Sequence, residues 1–328
     1  MLVRAMPNNK VIIYAVIIFL LIIPMMFGKF YTGFTTRLLI MAILAMSLDL
    51  VWGYTGVISI GHAAFFGIGA YVTALCLTKF GEIGIIWGFL ISIVVVSVLC
   101  YILGEICFKA NLAGLYFAFL TLALSSAFQL VATSWTNITG GLNGIKDYPT
   151  YSQIYSVNNE KYLAYYTVLV IAILSYVLCK LIVNSYFGKV LVAIRENENR
   201  SYAIGFNNAK FKTIILVFSG ILASVAGVLY APYNGIVAPS ILSFNLSTEA
   251  IIWVAIGGKG TIIGPAIGSF FLNILKLLLS GVWIQFWLII MAVVFICVVM
   301  FLPKGLISIK IPSFKKSNAK YERINDPQ

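Results

Sequence analysis

Apolar residues run in long, unbroken stretches along this chain, near 11–27, 36–52, 61–78, 84–103, 113–135, 163–183, 212–233, 262–280 and 282–302. A shorter run, 248–257, follows Ser247-Thr248-Glu249 and stops at Gly257-Gly258-Lys259-Gly260. A helix needs about 20 predominantly apolar residues to cross a bilayer core of ~30 Å, and most of these runs are that long. In lipid every backbone N–H and C=O must be paired internally, so a spanning chain forms helices or a closed barrel. The ~10-residue alternating segments of a barrel are missing. The pattern predicts an all-α, polytopic transmembrane helical bundle of about ten spans with glycine-rich helix breaks. Hydrophilic residues collect in 136–161, in 184–212 and in the tail from Pro303 onward.

Composition agrees: 61% of the 328 residues are hydrophobic and 10% charged, against roughly a quarter charged in soluble domains. A net charge of +12 would suggest nucleic acid in a soluble protein. In a membrane chain it reflects lysine and arginine gathered in cytoplasmic loops, and no nucleic-acid partner is expected. An inside N-terminus and ten spans place 184–212, with Lys189, Arg195, Arg200, Lys210 and Lys212, on the cytoplasmic side. The tail, with Lys304, Lys310, Lys315, Lys316, Lys320 and Arg323, falls there too. Nine spans would put the tail on the wrong side of this bias. Both termini are therefore expected in the cytoplasm, with 1–307 as one transmembrane domain and 308–328 as a basic tail. The run 11–27 exceeds a signal-peptide core and no A-x-A-like site follows it, so it reads as a first membrane helix.

The five cysteines (Cys76, Cys100, Cys107, Cys179, Cys297) are scattered through apolar runs with no C-x-x-C pair, and read as small buried apolar residues. Small residues recur four apart at Gly264/Gly268, Gly220/Ser224 and Ala223/Gly227, a spacing that lets membrane helices approach closely.

Motifs for chemistry are missing. Gly257-Gly258-Lys259-Gly260-Thr261 has glycine after the lysine and lacks the first glycine of a phosphate-binding loop. There is no HExxH and no GxSxG, and His62 is the one histidine, without a partner for a metal site. The chain is not expected to be an enzyme or to bind a cofactor. Ionisable residues inside spans are costly and mark pathways. Glu105, Glu249, Lys259 and Lys276 can sit near helix ends, while Asp49 reads either as a hydrogen-bonded carboxylate or as an ion site. A solute carrier coupled to ions through Asp49 is the second function hypothesis. In 184–212, Val190, Ala193 and Ile194 alternate with Lys189, Glu196 and Arg200 at helical spacing. This predicts a short polar helix between two spans, ending with Gly205 at a position of positive φ and suited to a groove on a cytoplasmic partner.

That stretch resembles the coupling loop of bacterial ABC importer permeases, in the branched-chain amino-acid permease family (LivM type). The likeness extends to Ser47-Leu48-Asp49-Leu50-Val51-Trp52-Gly53-Tyr54-Thr55-Gly56 and Ser59-Ile60-Gly61-His62-Ala63-Ala64-Phe65-Phe66-Gly67. It continues through Gly114-Leu115-Tyr116-Phe117-Ala118, Thr139-Gly140-Gly141-Leu142-Asn143-Gly144, Gly257 to Gly268, and Phe301-Leu302-Pro303-Lys304-Gly305-Leu306. Trp253-Val254-Ala255-Ile256-Gly257-Gly258 is similar to the urea-permease branch. The resemblance implies an ABC importer permease fold in a bacterial plasma membrane. Its implied partners are a second homologous permease subunit, two cytoplasmic ATPase subunits that use ATP, an extracytoplasmic substrate-binding protein and membrane lipid. Arg195, Glu196, Glu198, Arg200, Ala203 and Gly205 would meet the ATPase. The translocation path would use Asp49, Gly53, Tyr54, Gly56, Ser59, His62, Thr139, Asn143, Gly257, Gly258, Gly260 and Thr261. Branched-chain or related hydrophobic amino acids, and urea or short amides, both remain open as solutes. The two glycine-rich breaks, 53–61 and 257–268, have a similar layout that hints at an internal repeat.

Overall fold

The computed structural model describes residues 20–24, 26, 28–110, 112, 114–155, 160–280, 293 and 296. Most of the run 11–27, nearly all of 282–302, Cys297, the motif 301–306 and the tail lie outside the described residues. Twelve helices follow one another within them: α1 Lys29–Thr55, α2 Ala63–Phe80, α3 Gly84–Lys109, α4 Leu115–Ser134, α5 Thr136–Thr139 and α6 Tyr151–Tyr155, then α7 Glu160–Asn184, α8 Tyr186–Glu196, α9 Glu198–Ala203, α10 Asn208–Asn234, α11 Phe244–Gly257 and α12 Ile263–Ser280. Among the described residues the sole β pairing is an isolated bridge between Ile145 and Val237. Five helical stretches are long and apolar enough to cross a membrane: Lys29–Thr55, Ala63–Lys109, Leu115–Ser134, Tyr162–Asn184 and Asn208–Asn234. Phe244–Gly257 and Ile263–Leu278 are apolar but shorter.

Helix α1 is buried on nearly every side, as an all-round apolar helix at the centre of a bundle should be. Its Thr32, Thr35 and Thr36 hydroxyls donate to carbonyls four residues back, so polar residues here present no unpaired group to the core. Helix α10 runs antiparallel to it: the Tyr233 hydroxyl donates to the Gly33 carbonyl at one end, and the Ser219 hydroxyl donates to the Ser47 carbonyl farther along. The stretch Ala63–Lys109 folds back on itself at the 3₁₀ turn Gly81–Ile83. A Cβ on Gly88 would lie 2.7 Å from Thr73 Cα, so α2 and α3 form a tight hairpin.

Two helices begin inside the bundle rather than at its ends. After α1, residues 56–62 turn back along it and bring His62, at the start of α2, to Ser47 and Ser219. Ser47 precedes the last residue of α1 by two turns, about 12 Å at 1.5 Å per residue. After α10, the segment with Pro239–Leu242 likewise returns inward. The Ser247 hydroxyl in the first turns of α11 accepts from the Ala63 amide at 3.0 Å, so the two N-termini meet. Helix α4 fastens both returning segments: Thr121 Oγ1 accepts from the Ile60 amide and Ser125 Oγ donates to the Leu242 carbonyl.

Small residues make the close contacts. Gly220 lies against Cys100, Gly227 against the Phe66 carbonyl, and Gly268 against the Trp253 carbonyl. Cys76, Cys100, Cys107 and Cys179 are buried free thiols. Outward faces of α3 (Ile86, Leu90, Val94, Val98, Ile102) and α7 (Val170, Leu174, Leu181) are exposed and aliphatic, the composition that suits hydrocarbon.

One expectation is corrected. The polar segment is not one helix: Asn197 takes an extended conformation (φ −160°, ψ 104°) and its side chain caps α9 by accepting from the Arg200 amide, so the helix stops and restarts. Glu249 lies near a helix end, as expected. It lies early in α11, whose start is internal, and forms an ion pair with Lys276 of α12 at 2.9 Å.

Candidate functional site

The two glycine-rich breaks come together at the C-terminal end of α1. Asp49 is fully buried. Its Oδ1 accepts from the Gly260 amide at 2.6 Å and its Oδ2 from the Ile262 amide at 3.0 Å. One turn on, the Tyr54 hydroxyl donates to the Gly260 carbonyl at 2.9 Å, so α1 holds Gly260 by both its amide and its carbonyl. Thr261 Oγ1 donates to the Gly258 carbonyl and accepts from the Gly264 amide, tying the turn to the first residues of α12. Lys259 is exposed, with its ammonium 5.7 Å from the Trp52 ring centroid.

Helix α8 reaches the same place. Arg195 Nη1 donates to the Gly53 carbonyl at 2.5 Å, and Nη2 pairs with Glu196 at 2.8 Å. Its aliphatic stem lies against Gly56. The guanidinium holds the Glu196 carboxyl below the usual carboxylate range, through a hydrogen bond first and charge second. Beyond Asn197, Glu198 pairs with the buried Lys212 of α10 at 2.5 Å and its carbonyl accepts from Asn208. Lys212 lies over the Phe108 ring. Arg200, Tyr202, Ala203, Ile204 and Gly205 are exposed, and Gly205 has φ 100°, the left-handed stop expected of it. Of the six coupling candidates, Arg195 turns into the bundle and Glu198 ties to α10. Arg200, Ala203 and Gly205 face outward.

A second polar cluster sits where the internal helices start. Ser47 Oγ donates to the Leu44 carbonyl and Ser219 Oγ to the Ser47 carbonyl, which uses both hydroxyl protons. The 2.9 Å contact between His62 Nε2 and Ser47 Oγ therefore assigns the proton to Nε2. The imidazole is a neutral donor there, fully buried like Ser59.

Thr139 and Asn143 stand apart from these clusters. They belong to the opposite end of the bundle, next to Ile145, whose amide pairs with Val237 beyond α10. Thr139 is buried and its hydroxyl donates to the carbonyls of Ala132 and Trp135, while Asn143 is exposed. So Asp49, Gly53, Tyr54, Gly258, Gly260 and Thr261 form one knot, with Gly56 and Gly257 at its edge. His62 and Ser59 lie deeper. Sequence reasoning missed Ser47, Ser219, Ser247, Thr121, Ser125, Lys212 and Ile262. The one available signal was a set of hydroxyls inside apolar runs.

The chain matches, over residues 30–299, the family described as "Branched-chain amino acid transport system / permease component". It is 28% identical over 326 residues to the probable branched-chain amino acid transport permease protein LivM of Methanocaldococcus jannaschii, covering 84% of this chain and 93% of that one. It is 23% identical to the high-affinity branched-chain amino acid transport system permease protein LivM of Escherichia coli, covering 95% and 78%. Identity to the corresponding LivH protein of E. coli is 24%, covering 73% and 82%. No solved structure matches the chain. With the family matching most of its length, its motifs in their shared order and apolar helices throughout, this membrane-embedded chain belongs to the permease-component family of branched-chain amino acid transport systems.

Proposed function

We propose that the chain is the membrane-spanning permease subunit of a bacterial ABC importer that passes branched-chain or related hydrophobic amino acids. An extracytoplasmic binding protein delivers the solute, a second homologous permease completes the path, and two separate cytoplasmic ATPases supply the energy. The chain itself binds no cofactor. Ten spans, including 11–27 and 282–302, place both termini in the cytoplasm by the distribution of lysine and arginine.

The observation that carries this reading is the pair α8–α9. Its outer face exposes Arg200, Tyr202 and Ile204, and its inner face sends Arg195 to the backbone of α1. A partner seated on 200–205 would gain a direct mechanical route to the glycine breaks. Asp49 argues against an ion-coupled carrier, because both its oxygens are taken by backbone amides. The names of the relatives favour branched-chain amino acids over urea as the solute. In this reading Ser59 and His62 line the middle of the path, and Thr139 and Asn143 its outer mouth.

Proteoliposomes holding the permease pair, ATPases and binding protein test it. Leucine uptake that needs ATP supports the proposal. Uptake by this chain alone on an ion gradient would replace it with the carrier, and ATP-driven urea uptake without leucine uptake would move it to the urea branch.

A further inference from the structure

Ile262 has φ 59°, a left-handed conformation that a β-branched residue holds only when its surroundings impose it. What imposes it lies 213 residues earlier: Asp49 accepts the Ile262 amide through Oδ2 and the Gly260 amide through Oδ1. Tyr54 fixes the Gly260 carbonyl, and Thr261 fastens the turn to α12. Each Asp49 oxygen faces an amide donor, the pattern of an ionised carboxylate. The opposite charge in this knot is Arg195, which bonds to the Gly53 carbonyl. A Cβ on Gly53 would meet Asp49 Oδ1, and one on Gly260 would lie 3.5 Å from Arg195 Nη1, so these two glycines fill the space between the charges. Acid and base do not touch. Each grips backbone that the other borders.

We propose that Asp49 is a positioning residue for transport: its carboxylate clamps the strained turn 258–262 to α1, so that displacement of α8 through Arg195 carries α1 and α12 as one unit. The solute does not touch Asp49. This inference rests on the permease reading above, and it adds the turn 258–262 to the elements an ATPase would move.

The test uses the complete importer in proteoliposomes with leucine as the probe, measuring uptake and ATP hydrolysis on the same vesicles. Asp49→Asn keeps the shape and one acceptor oxygen but removes the charge. The variant is expected to hydrolyse ATP as the parent does while leucine uptake falls about tenfold, the scale of a typical coupling free energy. Ile262→Gly removes the strain the carboxylate holds, since glycine accepts positive φ freely. The double variant should therefore recover uptake to within about threefold of the parent, because a relaxed turn needs less clamping. A structural defect unrelated to strain would not respond in this way. Asp49→Asn importing leucine at the parental rate would overturn the inference, as would a loss of uptake that Ile262→Gly leaves untouched. A parent complex that imports neither leucine nor urea on ATP would overturn the permease reading, and this inference with it.

Discussion

Gly53 and Gly260 touch backbone to backbone: a Cβ on Gly53 would lie 2.5 Å from the Gly260 amide nitrogen and 2.7 Å from its Cα. The contact lets Asp49, one turn before Gly53, reach two amides of the facing turn. Gly53→Ala is expected to cost about 1–3 kcal/mol by overpacking. A lower melting temperature of the purified protein in detergent would show it, and an unchanged one would refute the contact.

The buried hydroxyls around His62 differ in what they leave behind when removed. Ser47→Ala removes the nearer acceptor of the imidazole Nε2–H, at 2.9 Å, and leaves it only the 3.5 Å contact to Ser219 Oγ; a poorly paired buried donor costs about 1–3 kcal/mol. Ser219→Ala removes one donor to the Ser47 carbonyl, which α1 already pairs, so about 1 kcal/mol or less is expected. Thermal melts of the two variants should rank in that order.

Lys212 joins α10 to α9 through Glu198, and its ammonium lies 5.8 Å from the centroid of the Phe108 ring. Lys212→Met keeps the packing and removes the tie. Amide hydrogen exchange should rise in 198–205 and stay unchanged in the core of α10. A rise along both would mean that the lysine supports the helix and not the link.

At Gly205 nothing lies within 4 Å of the place a Cβ would take, yet φ is 100°. Gly205→Ala therefore meets no clash and suffers only backbone strain, about 1–2 kcal/mol. If 200–205 seats the ATPase as proposed, its binding should weaken accordingly, with Gly205→Asn weakening it less. Equal loss in both variants would point to side-chain exclusion by the partner instead of strain.

The sequence made the helices legible and their meeting places obscure. The run 36–52 understated α1 by seven residues at its start because Thr32 and Thr35 count as polar, although their hydroxyls bond back into the helix. Asp49 stood out as a carboxylate in an apolar run, yet its partners lie 211 and 213 residues away, beyond any local periodicity. Arg195 stood outside the polar face formed by Lys189, Glu196 and Arg200, and periodicity alone does not tell that it turns inward to the Gly53 carbonyl. Asn197 hid the break between α8 and α9, because an asparagine reads as a tolerable helix residue until its side chain is seen capping the next amide.

The convergence of α2 and α11 carries a consequence for what the bundle refuses. The two helices bring their first turns together where the Ala63 amide meets Ser247, and each helix N-terminus bears a partial positive charge of roughly half a unit. Paired inside a low-dielectric bundle, they raise the energy of a bare sodium or potassium ion far more than that of a net-neutral zwitterion. In the proposed permease, an opening that admits amino acids would thereby be kept from discharging the membrane potential.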